Sequence, residues 1–132
     1  PYEENVRQTA EVVRVAHALG VSVEAELGSI AGSAAETGAP LDDEPESAFT
    51  DPVLAAEFVQ STGVDALAIS VGNVHGTYQG EPNLDLELVR AIYTLVEVPL
   101  VMHGASGLDD GQYQRIVEAG ISRVIAVNTT MT

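Results

Sequence analysis

The chain has 132 residues, 45% of them apolar, enough for one domain with a buried core. Twenty carboxylates face five arginines; the net charge of −15 argues against nucleic acid or an anionic membrane as a partner and otherwise serves solubility or a high-salt setting. Cysteine and lysine are both absent, which excludes disulfides, thiolate metal sites, cysteine nucleophiles, lysine Schiff bases and a P-loop lysine within these residues.

No apolar run reaches the length of a membrane span, and no signal-peptide pattern opens the chain. With the lack of cysteine, this predicts a reducing, cytoplasmic setting. The opening at Pro1 without a methionine and the close at Thr132, right after an apolar strand, predict a piece of a longer chain.

Pro1 fits a helix entry, with Glu3 and Glu4 at the positive end of the helix. Val6, Val12, Val13, Val15, Ala16 and Leu19 form the stripe expected to face inward, and Gly20 stops the helix. A strand over 21–27 follows, on which Glu24 and Glu26 share a face because strand side chains alternate. The polar stretch 28–50 has no periodicity, as in a functional or disordered loop. Thr50-Asp51-Pro52 reads as a capped helix start, and that helix carries Ala55, Ala56, Phe58 and Val59 and ends near Gly63.

A strand over 65–71, a loop over 72–83, a helix over 84–95 and a strand over 98–102 come next. In that helix Leu86, Leu88, Val89, Ile92 and Leu95 are expected inward. Asp109 and Asp110 open a further helix with Tyr113, Ile116 and Val117 inward, Gly120 ends it, and 122–127 is the last strand. Four helix–strand units predict an α/β fold with a parallel sheet. They amount to about half of a (β/α)8 TIM barrel, in one partial domain over residues 1–132; a small open α/β sheet is the alternative. Half a barrel leaves open sheet edges, so a longer parent that is a homo-oligomer is expected.

The apolar strands before Gly72-Asn73-Val74-His75-Gly76 and His103-Gly104-Ala105-Ser106-Gly107-Leu108 each run into a histidine followed by glycine. Both histidines fall at or just past the C-terminal end of a parallel strand, the face that carries chemistry in α/β folds. Two imidazoles from neighbouring strands can hold a metal, although a lone strand-end histidine ordinarily hydrogen-bonds the backbone. Val23-Glu24-Ala25-Glu26-Leu27-Gly28 brings carboxylates to the same face. They read either as a paired-carboxylate site or as one functional and one structural group. Ser106 and the backbone N–H groups of its glycine-rich turn suit a phosphate, with the dipole of the helix at Asp109 adding to the attraction; taken alone, Ser106 is a turn serine. His17, in the last turn of the first helix, meets that helix's dipole.

These three motifs in this order, with Thr62-Gly63-Val64-Asp65-Ala66-Leu67-Ala68 ahead of the first histidine, resemble the class II, zinc-dependent fructose-bisphosphate and tagatose-bisphosphate aldolase family over nearly the whole chain. The resemblance implies a (β/α)8 barrel with Zn2+ on three histidines, two of which match His75 and His103. The third, and the proton-moving aspartate beside it, belong to an earlier strand that these residues lack. Glu26 is implied as a catalytic carboxylate, an alternative zinc position or a support for the ligands. Gly76 and Gly104 match close-approach glycines, Ala105 belongs to the phosphate turn, and Ser106 matches the phosphate serine. Asn128 and Thr129 carry the chemistry of the last-strand substrate contacts. A monovalent cation, Na+ or K+, is implied near the phosphate.

The implied reaction is cleavage of a ketose 1,6-bisphosphate, fructose or tagatose, to dihydroxyacetone phosphate and glyceraldehyde 3-phosphate, with the isolated chain inactive. The chemistry agrees: cleavage leaves a carbanion beside a carbonyl, and without lysine a Lewis-acid metal is the available route. Two places depart from the family. Ala34 stands where an acid is usual, with Glu36 two residues on, and Ile125 and Val127 stand where polar residues are usual, so that Asn128-Thr129-Thr130 match only with an insertion. These departures keep two other readings open: a catalytically weakened barrel piece that binds metal and sugar phosphate, and a phosphate-binding α/β enzyme without metal.

Overall fold

The computed structural model describes residues 1–30, 49–75 and 82–124. Ala34, Glu36, Gly76, Ile125, Val127, Asn128, Thr129 and Thr130 lie outside the described residues. Helix and strand alternate as α1 Tyr2–Ala18, β1 Glu24–Leu27, α2 Pro52–Thr62, β2 Ala66–Ile69, α3 Leu86–Leu95, β3 Leu100–Met102, α4 Asp110–Ala119 and β4 Ile121–Val124. No helix among the described residues is long and apolar enough to cross a membrane.

Local chemistry sets the boundaries. Asp51 accepts hydrogen bonds from the N–H groups of Val53 and Leu54, both at 2.9 Å, and so caps α2. Gly63, at φ 72°, ends it in the left-handed conformation that glycine adopts without strain. Helix α3 starts at Leu86 rather than residue 84, because Asp85 is its cap and its own N–H donates to the Val71 carbonyl at 2.9 Å. Strand β1 starts at Glu24 rather than residue 21, because the Val21 N–H is still closing α1 on the Ala16 carbonyl at 3.0 Å.

All neighbouring strands pair parallel, in the order β1-β2-β3-β4. The order never reverses, as it must in a doubly wound open sheet, so the arrangement is that of a (β/α)8 barrel segment. Register and alternation put Leu67, Ile69, Leu100, Met102 and Ile121 on one face, where they pack with Phe58, Val89, Ile92 and Ile116 of the helices in the buried core. The other face, the inside of a barrel, carries Glu24, Glu26, Ala66, Ala68, Val101 and Arg123.

Half of the expected inward stripe of α1 is exposed: Val13 is buried and Val6 packs partly against the core, but Val12, Val15 and Leu19 are 56%, 49% and 75% exposed. This first helix packs along α2, with Tyr2 tilted on Phe58 and donating to the Leu54 carbonyl at 3.2 Å. Leu95 and Val117, also expected inward, are about half exposed. The buried arcs of α3 and α4 are the narrower i, i+3 stripes Val89–Ile92 and Ile116–Ala119.

Candidate metal and phosphate site

The ends of β2 and β3 are tied together by one buried side chain. Asn73 is fully buried; its Oδ1 accepts from the Val71 N–H at 2.8 Å, and its Nδ2 donates to the carbonyls of His103 at 3.0 Å and Ile69 at 3.3 Å. Gly104 adds a close approach. Its φ is 67°, and a Cβ there would collide with the Val74 carbonyl oxygen. The Val74–His75 backbone therefore lies directly against the residue after His103. Thr50 joins the β1 end to the β2 end: its hydroxyl donates to the Leu27 carbonyl at 2.5 Å and accepts from the Ser70 N–H at 2.8 Å.

This framework brings His75 and His103 side by side, ring centres 6.3 Å apart and planes tilted by 58°. Zinc–nitrogen bonds of about 2.0–2.1 Å at tetrahedral angles place two imidazole centres roughly 5–5.5 Å apart. The ring-centre spacing is within about an ångström of that distance, and neutral imidazoles are donors of the right kind. Among the described residues, no three His, Cys, Asp or Glu side chains gather into a complete metal site. His17 does not join the pair: its Nε2 meets Asp65 Oδ2 at 2.8 Å. Asp65 shares the parity of Leu67 and so faces the helices. The expectation that His17 only meets its helix dipole is thus incomplete, because a carboxylate holds it.

Glu24 meets His103: its Oε1 lies 2.7 Å from His103 Nε2, with both side chains about three-quarters covered. Glu26, the carboxylate singled out from the motif, lies on the same face two residues along β1. The motif resemblance favours Glu26, while alternation alone puts both carboxylates on one face and leaves the contact with His103 to the tertiary structure.

The glycine-rich turn after β3 is compact. Ala105 is fully buried and Ser106 nearly so, and Tyr113 of α4 donates to the Ala105 carbonyl at 2.9 Å. Asp109 accepts from the Gln112 N–H at 2.7 Å while the Gln112 side chain accepts from the Asp109 N–H at 2.8 Å. This reciprocal cap, with Asp110 in the first turn, already meets the positive end of the helix. Asn73, Thr50 and Tyr113 received no role from the sequence. The available signal for Asn73 was its place in the glycine–histidine motif, since a polar residue between apolar positions at a strand end commonly satisfies loop backbone.

The family model for class II fructose-bisphosphate aldolase matches residues 1–132. A fructose-bisphosphate aldolase of Geobacillus stearothermophilus is 45% identical over 131 residues, covering 98% of this chain and 43% of that protein. The crystal structure of the YdjI aldolase of Escherichia coli K12 is similar with a TM-score of 0.75 and 42% identity, over 94% of this chain and 40% of that one. That of a putative fructose-1,6-bisphosphate aldolase from Coccidioides immitis is similar with a TM-score of 0.83 and 37% identity, over 94% and 43%. The chain thus spans about two-fifths of the length of these relatives. With strand order, histidine-bearing strand ends and family model in agreement, the chain belongs to the class II fructose-bisphosphate aldolase family.

Proposed function

We propose that these residues are the C-terminal part, about half, of the barrel of a zinc-dependent ketose-bisphosphate aldolase. It would interconvert fructose or tagatose 1,6-bisphosphate with dihydroxyacetone phosphate and glyceraldehyde 3-phosphate. The observation that carries this reading is the convergence of His75 and His103 at the strand ends of a chain of this family. When bound, zinc would supply the Lewis acid for the charge left beside the carbonyl as the C3–C4 bond breaks, a charge that no lysine is present to delocalise.

His75 and His103 offer two neutral nitrogens, and Glu26 offers a carboxylate on the inner face for an alternative metal position or for proton handling. A third imidazole comes from outside these residues, because His17 is held on the other face of the sheet. Gly104, Ala105 and Ser106 would form the phosphate turn, where backbone N–H groups and a hydroxyl hold the anion without lysine, and Gly76, outside the described residues, is the other close-approach glycine that the resemblance implies. A Na+ or K+ ion beside that phosphate suits a chain of charge −15. By the family resemblance Asn128 and Thr129, outside the described residues, would supply the last-strand substrate contacts. The parent is a cytoplasmic homo-oligomer, and the 132 residues alone are inactive.

A graft tests this reading: residues 1–132 replace the matching segment of the Geobacillus stearothermophilus aldolase, and fructose 1,6-bisphosphate cleavage is assayed before and after chelation. Expected is cleavage that chelator abolishes and that His103→Ala lowers by at least about a hundredfold, as for loss of an essential metal ligand. Cleavage that survives chelation favours the phosphate-binding enzyme without metal. Zinc binding without cleavage favours the weakened form, for which Ala34 and Ile125 are the sequence grounds.

A further inference from the structure

The hydrogen bond between Glu24 and His103 joins residues 79 apart in sequence and crosses a whole strand, from β1 over β2 to the end of β3. Neighbouring strands lie about 4.8 Å apart, so the two side chains cross roughly 10 Å of sheet, and by the register His103 also stands four positions further along the strands than Glu24. They meet because β2 presents alanines, Ala66 and Ala68, on this face. An ionised carboxylate only accepts hydrogen bonds, so in a neutral His103 ring facing it Nε2 is the donating nitrogen. Nδ1 then carries the lone pair, and among the described residues no hydrogen bond to Nδ1 is formed.

We propose that Glu24 is a positioning residue that holds His103 as the Nε2–H tautomer and presents Nδ1 as its metal-facing nitrogen. The metal-facing part rests on the aldolase reading above; the tautomer part does not. A carboxylate behind a metal-binding imidazole fixes ring orientation and raises donor strength, and its loss typically weakens metal binding about ten- to a hundredfold. Ala68 belongs to the same device: a longer side chain there would fill the space through which Glu24 and His103 meet.

The test is long-range 1H–15N NMR of the metal-free 132-residue chain above pH 7.5, with the three histidines assigned by single substitution. Expected is an Nε2–H tautomer at His103, retained in Glu24→Gln, whose amide oxygen also accepts, and lost toward a mixture in Glu24→Ala and Ala68→Leu. A zinc titration followed on the same imidazole signals should show Glu24→Ala binding at least about tenfold more weakly, with Glu24→Gln close to the parent. An Nδ1–H tautomer in the parent chain, or a tautomer that Glu24→Ala leaves unchanged, overturns the proposal. Zinc binding indifferent to His75→Ala and His103→Ala instead overturns the metal reading, and the NMR result alone then decides the role of Glu24.

Discussion

Two histidine–carboxylate pairs of nearly equal geometry stand on opposite faces of one sheet. His17 meets Asp65 at 2.8 Å on the helix side, and His103 meets Glu24 at 2.7 Å on the inner side. The first pair is about 40% exposed on each partner, and Asp65 also accepts the Val23 N–H at 2.7 Å, so its work is to tie α1 and the start of β1 to β2. The second is about three-quarters covered and stands beside a second imidazole that Gly104 and Asn73 hold close. The chemistry of the pair is the same in both. What differs is the framework behind it, and that framework separates a staple from a site.

The most severe way to break this contrast is Gly104→Ala. The new methyl meets the Val74 carbonyl oxygen at a φ of 67°, so backbone strain and steric overlap add. We expect a loss of about 3 kcal/mol or more in urea unfolding, with the His75 and His103 loops driven apart. Preserved stability would mean that the two loops are not in contact. Asn73→Ala comes next. It strips the partner from the Val71 N–H and from two carbonyls in a buried place, for an expected loss of about 2–3 kcal/mol by the same measurement. Loss of zinc binding beyond what instability explains would sharpen the contrast further.

Glu24→Ala should change stability little, by about 1 kcal/mol or less, while moving the His103 tautomer. The smallest effect is expected at the other pair. Hydrogen bonds from His17 and from the Val23 N–H hold the Asp65 carboxyl below its ordinary value of 3.8. The unfolded chain therefore takes up this proton first as pH falls. The stabilisation from Asp65 is complete above pH 3.8 and is lost as the pH drops from there through the lower value of the folded state. Asp65→Asn should flatten that part of the acid-unfolding curve and leave zinc binding untouched; an altered zinc affinity would remove the distinction between the two faces.

Much of the fold was legible because its signals are local. Asp51-Pro52 and Asp109 cap helices where the chain suggested, and Gly63 and Gly120 end them. The failures share one cause. Val12, Val15, Leu19, Leu95 and Val117 are apolar at helical spacing, yet their burial depends on how many neighbours a helix has and how wide an arc those neighbours cover.

The sequence by itself determined the order of helices and strands, the absence of lysine and cysteine chemistry, and the arrival of two histidines at strand ends, because capping, periodicity and composition act over a few residues. The tertiary structure alone decided that Glu24 rather than Glu26 reaches His103, that His17 is held on the far face, and that Asn73 and Gly104 lock the two loops together. Those contacts join residues 30 to 79 apart, and parallel register together with the alanines of β2, which no local signal encodes, sets where such side chains meet.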